Sequence, residues 1–196
     1  MSEIHALLIV DVQNDFFHGG QFTIPESEMI LPVLNDYIGK FSASNLTIIA
    51  TRDWHPVVTL HFEQYGGKWP LHCIANTSGA QFYPDLLLPE QAIVISKGMR
   101  PEDDSYSAFQ GIDSTGRLLE EILRDHKITT LSICGLTTDY CIKYSTLHAL
   151  QRGLRVVLLL DAIKGLNLLP SDSIRSIDEM IRAGADVVTK ESFSLT

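Results

Sequence analysis

The feature that most restricts what this chain can fold into is an alternation. Short, continuous apolar runs, rich in β-branched residues, recur with segments of helical period between them. The runs fall at residues 6–10, 46–50, 92–96, 129–134, 155–160 and 186–189. Because they are continuous and not alternately polar, they read as parallel strands covered on both faces. Helical patterns occupy 26–41, 117–127, 139–152 and 171–183. Gly153 and Gly184 stand just past the last two, suited to the C′ position, and Pro170 stands just before the fourth. The pattern predicts an α/β protein: a three-layer α/β/α single domain, residues 1–196, on a central, mainly parallel six-stranded sheet.

Several classes are excluded at once. With 45% hydrophobic and 20% charged residues the chain is globular rather than disordered. Its longest apolar runs are strand-sized, far short of a membrane span. The opening MSEIHALLIVD has no basic region or cleavage site and reads as a first strand, not a signal peptide. A net charge of −9 without Lys/Arg clusters argues against nucleic acid or an anionic membrane as partner. Neither GxGxxG nor GxxxxGK[ST] follows the first strand. Three cysteines, Cys73, Cys134 and Cys141, are an odd number in a chain too large to need disulfides. They favour free thiols in a reducing cytoplasm and raise the question of a reactive one.

Two stretches, 51–91 and 97–114, lack a periodic pattern. They follow the second and third strands and so hang from the carboxyl edge, where open α/β sheets bind ligands. The first holds Asp53, His55, His61 and His72 as D-x-H-x5-H-x10-H, three of the seven histidines. These offer oxygen and imidazole donors to a divalent metal, and Asp53 and His55 point to one side of an extended segment. A solvated polar loop would use the same residues. In CGLTTDYC, a strand ends near Cys134 and a helix starts at Thr137 or Thr138, putting Cys141 in the first helical turn. Free N–H groups and the dipole there favour a thiolate and can receive an oxyanion. A small buried hydrophobe is the other reading of Cys141, and Cys73 and Cys134 read as structural. Asp11 closes the first strand and Lys97 the third, so an acid, an amine and a thiol can converge on one edge. Phe16, Trp54, Trp69, Tyr106 and Tyr140 fall in or beside these loops, and Trp69, between two candidate ligands, is the least core-like.

The strings LLIVDVQNDFFHGG, TRDWHP, KWPLHC, SKGMRPEDDSYSAFQG and CGLTTDYC, in this order, resemble the isochorismatase-like cysteine hydrolases. The D-x-H…W-P-x-H loop together with DSYSAF is similar to the nicotinamidase group in particular, and the resemblance spans essentially the whole chain. It implies Cys141 as nucleophile, Asp11 as its base and Lys97 as the third member, with the N–H groups of Thr137 and Cys141 as oxyanion hole. It implies one divalent ion on Asp53, His55 and His72, with His61 as a fourth ligand that some relatives replace by water. Zn²⁺ is the first choice of ion, with Fe²⁺ or Mn²⁺ as alternatives. Phe16, Trp69 and Tyr106, with Tyr140 beside them, are implied as walls around a flat heteroaromatic ring, and a cis peptide is implied between Leu136 and Thr137. Relatives often carry alanine at the position of Thr137, whose hydroxyl would narrow the pocket. The implied activity is hydrolysis of nicotinamide, with pyrazinamide as a further substrate, to the acid and ammonia in NAD salvage. The implied protein is cytoplasmic and able to form homo-oligomers. The rivals are a ureido or carbamoyl amidase, which usually lacks the metal loop, an isochorismatase proper, which lacks the cysteine, and a noncatalytic binding or scaffold domain.

Overall fold

Strands β1 (His5–Val10), β2 (Thr47–Asp53), β3 (Ile93–Lys97), β4 (Thr130–Leu136), β5 (Arg155–Lys164) and β6 (Asp186–Val188) form one sheet. Its order is β3-β2-β1-β4-β5-β6, and every neighbouring pair is parallel. The computed structural model describes residues 3–102 and 104–195. The chain starts in the middle of the sheet, grows outward through β2 and β3, then returns to β4 and grows the other way. The reversal lies between β1 and β4, so the loops leaving their carboxyl ends diverge and open a crevice.

The α/β expectation holds, with all pairs parallel. Helix α1 (Leu31–Ala43) covers one face, where Leu34, Tyr37, Ile38 and Phe41 pack with Leu7 and Ile9 of β1. Helices α2 (Leu119–Asp125), α3 (Lys143–Gln151) and α4 (Asp172–Arg182) cover the other, where Leu119, Ile122, Ala149 and Met180 join Ala6, Leu8 and Val10. The two-residue period of β1 thus feeds two cores from one strand.

Several boundaries differ from the sequence expectation. The first helical pattern opens as a 3₁₀ turn, Ser27–Ile30, before α1. The third opens as a π-helical turn, Thr138–Ile142, before α3. Strand β2 runs beyond residue 50 because Gln13, wholly buried, brackets its end: the Gln13 side chain accepts from Asp53 N–H and donates to Asp53 C=O, each at 2.8 Å. Asp53 is therefore the last residue of a strand, cross-strand partner of Lys97, rather than a loop residue.

All four helices hand the chain back to the sheet through the same closure. The N–H of C′ bonds the C=O of C2, and the N–H of C″ bonds that of C3. For α3 these are Gly153 to Leu150 at 2.9 Å and Leu154 to Ala149 at 3.2 Å. Gly184 closes α4 as expected, while Asn45 (φ 51°) and Lys127 (φ 55°) hold the same left-handed position after α1 and α2. The C″ residues Leu46, Ile128, Leu154 and Ala185 are apolar and lead straight into β2, β4, β5 and β6. Among the described residues no helix is long and apolar enough to cross a membrane.

Lys127 is exposed, so its only structural duty is a conformation that costs a side-chain-bearing residue roughly 1–2 kcal/mol. Lys127→Gly removes that cost and adds back about 0.5–1 kcal/mol of chain entropy. Calorimetry should find Tm raised by about 1–4 °C, and a lowered Tm would contradict this account of the closure.

Candidate active site

Lys97 ends β3 with its ammonium fully shielded from solvent, a position no lone cation can hold. Its Nζ lies 2.8 Å from Asp11 Oδ2, 2.5 Å from Asp53 Oδ1 and 3.4 Å from Cys141 Sγ. Burial alone would strip its proton, but the carboxylates of Asp11 and Asp53 outweigh burial and hold the amine well above its ordinary range. The two acids respond differently. Burial works to raise Asp53, yet Lys97, with His55 and His72 beyond it, holds that carboxyl well below its usual range. At Asp11 burial wins, helped by the Asp53 charge and opposed by Lys97, and its pKa is pushed up to about 6.

Each part of this cluster is fixed by its strand. Asp11 leaves β1 in the left-handed region (φ 50°), its N–H donating to the Thr51 hydroxyl and carbonyl. The Thr51 hydroxyl donates in turn to Asp11 Oδ1 at 2.6 Å. Oδ2 is left facing Lys97 with acceptor capacity to spare. Opposite, Gly135 (φ 110°) lets β4 close on β1, since a Cβ there would sit 2.1 Å from the Val10 carbonyl oxygen. A cis peptide joins Leu136 to Thr137, and Thr137 stands at the N-cap of the turn carrying Cys141, without a side-chain cap bond. Cys141 is buried, and burial pushes its thiol well up against the pull of Lys97. The turn therefore holds a protonated thiol rather than the thiolate that a helix N-terminus alone would favour.

A second cluster adjoins the first. The ring nitrogens of His55, His61 and His72 lie within 4.8 Å of one another. Two isolated parallel bridges, His55 with Ile74 and Phe62 with Trp69, fold the unpatterned loop so that these rings meet. His55 Nδ1 bonds the Gly98 carbonyl at 3.0 Å and His72 Nδ1 the Pro70 carbonyl at 2.8 Å. Carbonyls only accept, so both Nδ1 atoms carry the proton and both Nε2 atoms are bare. Burial lowers His55 to about 3 and His72 to about 4, keeping the imidazoles neutral. His55 Nε2 is buried and has no hydrogen-bond partner, though Asp53 Oδ1 stands 3.9 Å away. Bare, converging, neutral nitrogens beside a carboxylate are the donor set a divalent cation fits. Gly98 (φ 67°) makes room for the His55 ring, which a Cβ would overlap at 2.4 Å.

Both clusters open on one pocket. Asp11, Asp53, His61, His72 and Cys141 form its polar floor, and Phe16, Phe22, Trp69, Tyr106, Tyr140 and Leu166 its walls. Lys97 and His55 lie beneath. Every site residue expected from the sequence thus lies at or under this pocket, with Asp53 shared between the two clusters. Trp54 does not reach it and stacks under the Arg52 guanidinium at 3.7 Å. Trp69 is less accessible than its loop position suggested, only 4% exposed. The rings of Phe22 and Tyr140, at 5.4 and 4.9 Å, enclose it, and its N–H donates to the Tyr106 hydroxyl at 2.8 Å. Gln13, Thr51, Phe22, Asp104 and Leu166 belong to no metal or nucleophile spacing, so no role could be read for them from the chain. Cys73 and Cys134 are free and buried away from the pocket.

A family model described as the isochorismatase domain matches residues 5–192. The nicotinamidase of Escherichia coli K12 is 40% identical, the alignment covering 94% of each chain. The nicotinamidase/pyrazinamidase of Mycobacterium tuberculosis is 31% identical over 94% of this chain and 98% of its own. Among solved structures, the pyrazinamidase of Pyrococcus horikoshii in complex with zinc superposes with a TM-score of 0.87. It is 42% identical and covers 94% of this chain and 98% of its own.

Replacing Lys97 by methionine keeps the volume but leaves two buried carboxylates unpaired. Breaking a buried ion pair costs about 3–5 kcal/mol, so Lys97→Met should lower Tm by on the order of 10 °C. An unchanged Tm would mean that the three groups are not charged together.

Proposed function

This chain belongs to the isochorismatase domain family, and on that footing we propose that it is a nicotinamidase. It is a cysteine amidase, dependent on one divalent metal ion, that hydrolyses nicotinamide to nicotinate and ammonia, a step of NAD salvage. One observation carries the reading: the Asp11–Lys97–Cys141 cluster and three converging imidazoles meet at a single aromatic-walled pocket, with Asp11, Cys141, His61 and His72 on its floor and Lys97 and His55 beneath.

A flat heteroaromatic ring suits that pocket. Phe16, Trp69, Tyr106 and Tyr140 offer faces and edges, and offset stacking is worth about 0.5–1.5 kcal/mol per pair beyond burial. Pyrazinamide has the same outline and is a further substrate. His55, His61 and His72, with Asp53, would hold the ion, and a nitrogen-rich set favours Zn²⁺ over Fe²⁺ or Mn²⁺. When bound, the ion supplies a Lewis-acidic position that suits the lone pair of a pyridine nitrogen.

The chemistry then belongs to the side chains. Asp11 takes the Cys141 proton as Sγ bonds to the carboxamide carbon, and the N–H groups of Thr137 and Cys141 receive the oxyanion. The carbon–nitrogen bond breaks as Asp11 returns the proton to the nitrogen, so ammonia leaves and a thioester remains. Water next yields a proton to Asp11 and bonds to the acyl carbon. The carbon–sulfur bond breaks, and sulfur recovers the proton as the acid is released. A group that must be base and acid in turn works best with a pKa near the working pH, and about 6 is suited to both. Lys97 stabilises the developing thiolate and keeps Asp53 ionised. A carbamoyl amidase or a scaffold has no use for three converging imidazoles at this pocket, which favours the pyridine amide.

Cys141→Ala should retain less than about 1% of wild-type turnover, since losing the nucleophile removes the covalent route. Cys73→Ala and Cys134→Ala should keep turnover and lose only stability. Appreciable ammonia release by Cys141→Ala would end the covalent reading. Protonated Asp11 cannot accept the thiol proton, so kcat/KM should fall about tenfold per pH unit below about 6. The profile is to be taken with metal content assayed in the same samples. A flat profile down to pH 4.5 would remove Asp11 as the base.

A further inference from the structure

Three imidazoles converge, but they are not held alike. His55 and His72 lean on backbone carbonyls, of Gly98 and Pro70, which are fixed by the chain itself. His61 leans on a side chain: its Nδ1 lies 2.6 Å from Asp104 Oδ1. Asp104 comes from a different loop, the one following β3, and its side chain is 64% exposed while that of His61 is 5% exposed. Resting on the metal dependence proposed above, we propose that Asp104 is a positioning residue for the metal centre, acting through His61.

Three physical points support the assignment. A carboxylate only accepts, so His61 Nδ1 points its proton at Asp104, and Nε2 is the ring nitrogen left to serve a metal ion beside His55 and His72. The charge count makes Asp104 matter further. Asp53, whose Oδ1 stands 3.9 Å from His55 Nε2, is already engaged by the Lys97 ammonium at 2.5 Å. The Asp104 carboxylate therefore offsets a divalent charge, and through the imidazole it raises the basicity of the bonding nitrogen. Finally, the bond crosses between loops. The Asp104 loop is fastened further along by the Ser107 capping box and by Ala108 N–H on the Ser145 hydroxyl, so Asp104 secures its near end against the metal loop.

The experiment measures metal rather than turnover. Zn²⁺ affinity is determined by competition with a chromophoric chelator for wild type, Asp104→Ala, Asp104→Asn, His61→Ala and the double variant Asp104→Ala/His61→Ala. Co²⁺ absorption spectra of each report the ligand field. Asp104→Ala should weaken Zn²⁺ about tenfold or more and alter the Co²⁺ bands, with Asp104→Asn, which can still accept, in between. In the His61→Ala background Asp104→Ala should cost nothing further, because the residue acts through that ring. Equal Zn²⁺ affinity for wild type and Asp104→Ala overturns this inference and leaves the amidase reading standing, as does an undiminished penalty in the His61→Ala background. A wild-type protein that binds no divalent ion overturns both.

Discussion

The buried ammonium of Lys97 is the constraint on which the rest of this structure depends. Taking such a charge out of water costs several kcal/mol even after relaxation, and the chain offsets it only where two carboxylates arrive together. They arrive because β1, β2 and β3 are adjacent and parallel, each ending in one member: Asp11 just after β1, Asp53 at the end of β2, Lys97 at the end of β3. A slip of one residue in the β2–β3 pairing would separate Asp53 from Lys97 and send one of them to the opposite face. The interaction that assembles the catalytic groups is therefore also a register lock for one half of the sheet.

The other half contributes the thiol, and its approach is set by backbone. Gly135 admits β4 against Val10, and the turn Thr138–Ile142 then brings Cys141 across the reversal point to Lys97. Asp53 belongs to both sets of neighbours, ion-paired to the ammonium and standing beside His55. That shared carboxylate makes the imidazole cluster and the thiol cluster one electrostatic unit. A change in one must be felt in the other.

How much of this was legible in the sequence follows from what kind of contact each residue makes. The parallel sheet could be read because burial on both faces writes itself as continuous apolar runs, and the closures at Gly153 and Gly184 because glycine marks the left-handed region. The same closure at Asn45 and Lys127 was hidden, since neither residue announces it. Asp11, Lys97 and Cys141 could be seen as strand-end and turn residues, but their mutual distances could not. Thr51, Gln13 and Asp104 stand inside the strings that carry the resemblance, but their roles could not be read, for a common reason. Each acts through hydrogen bonds to a residue some 40 positions away in the chain, and such bonds have no period. Trp69, the least core-like aromatic by its loop position, lines the pocket yet is only 4% exposed, because the enclosing Phe22 and Tyr140 come from remote segments.

The same burial has opposite consequences for the thiol and for the field around it. Excluding water raises the Cys141 thiol, so at rest the nucleophile holds its proton. Excluding water also lowers the local dielectric, so the Lys97 charge 3.4 Å from Sγ acts more strongly on the sulfur than it would in solvent. A thiol that ionises only when Asp11 accepts its proton stays protected from adventitious oxidants and electrophiles, which react with thiolates. In the proposed reaction, ionisation is thereby tied to the presence of a carbonyl carbon for the sulfur to attack. Asp11, raised by burial and restrained by Lys97, has a pKa of about 6 that allows the proton to be taken and given back at the same oxygen. A permanently ionised thiol would forfeit that coupling, because in the proposed reaction the proton delivered to the leaving nitrogen comes from the cysteine itself.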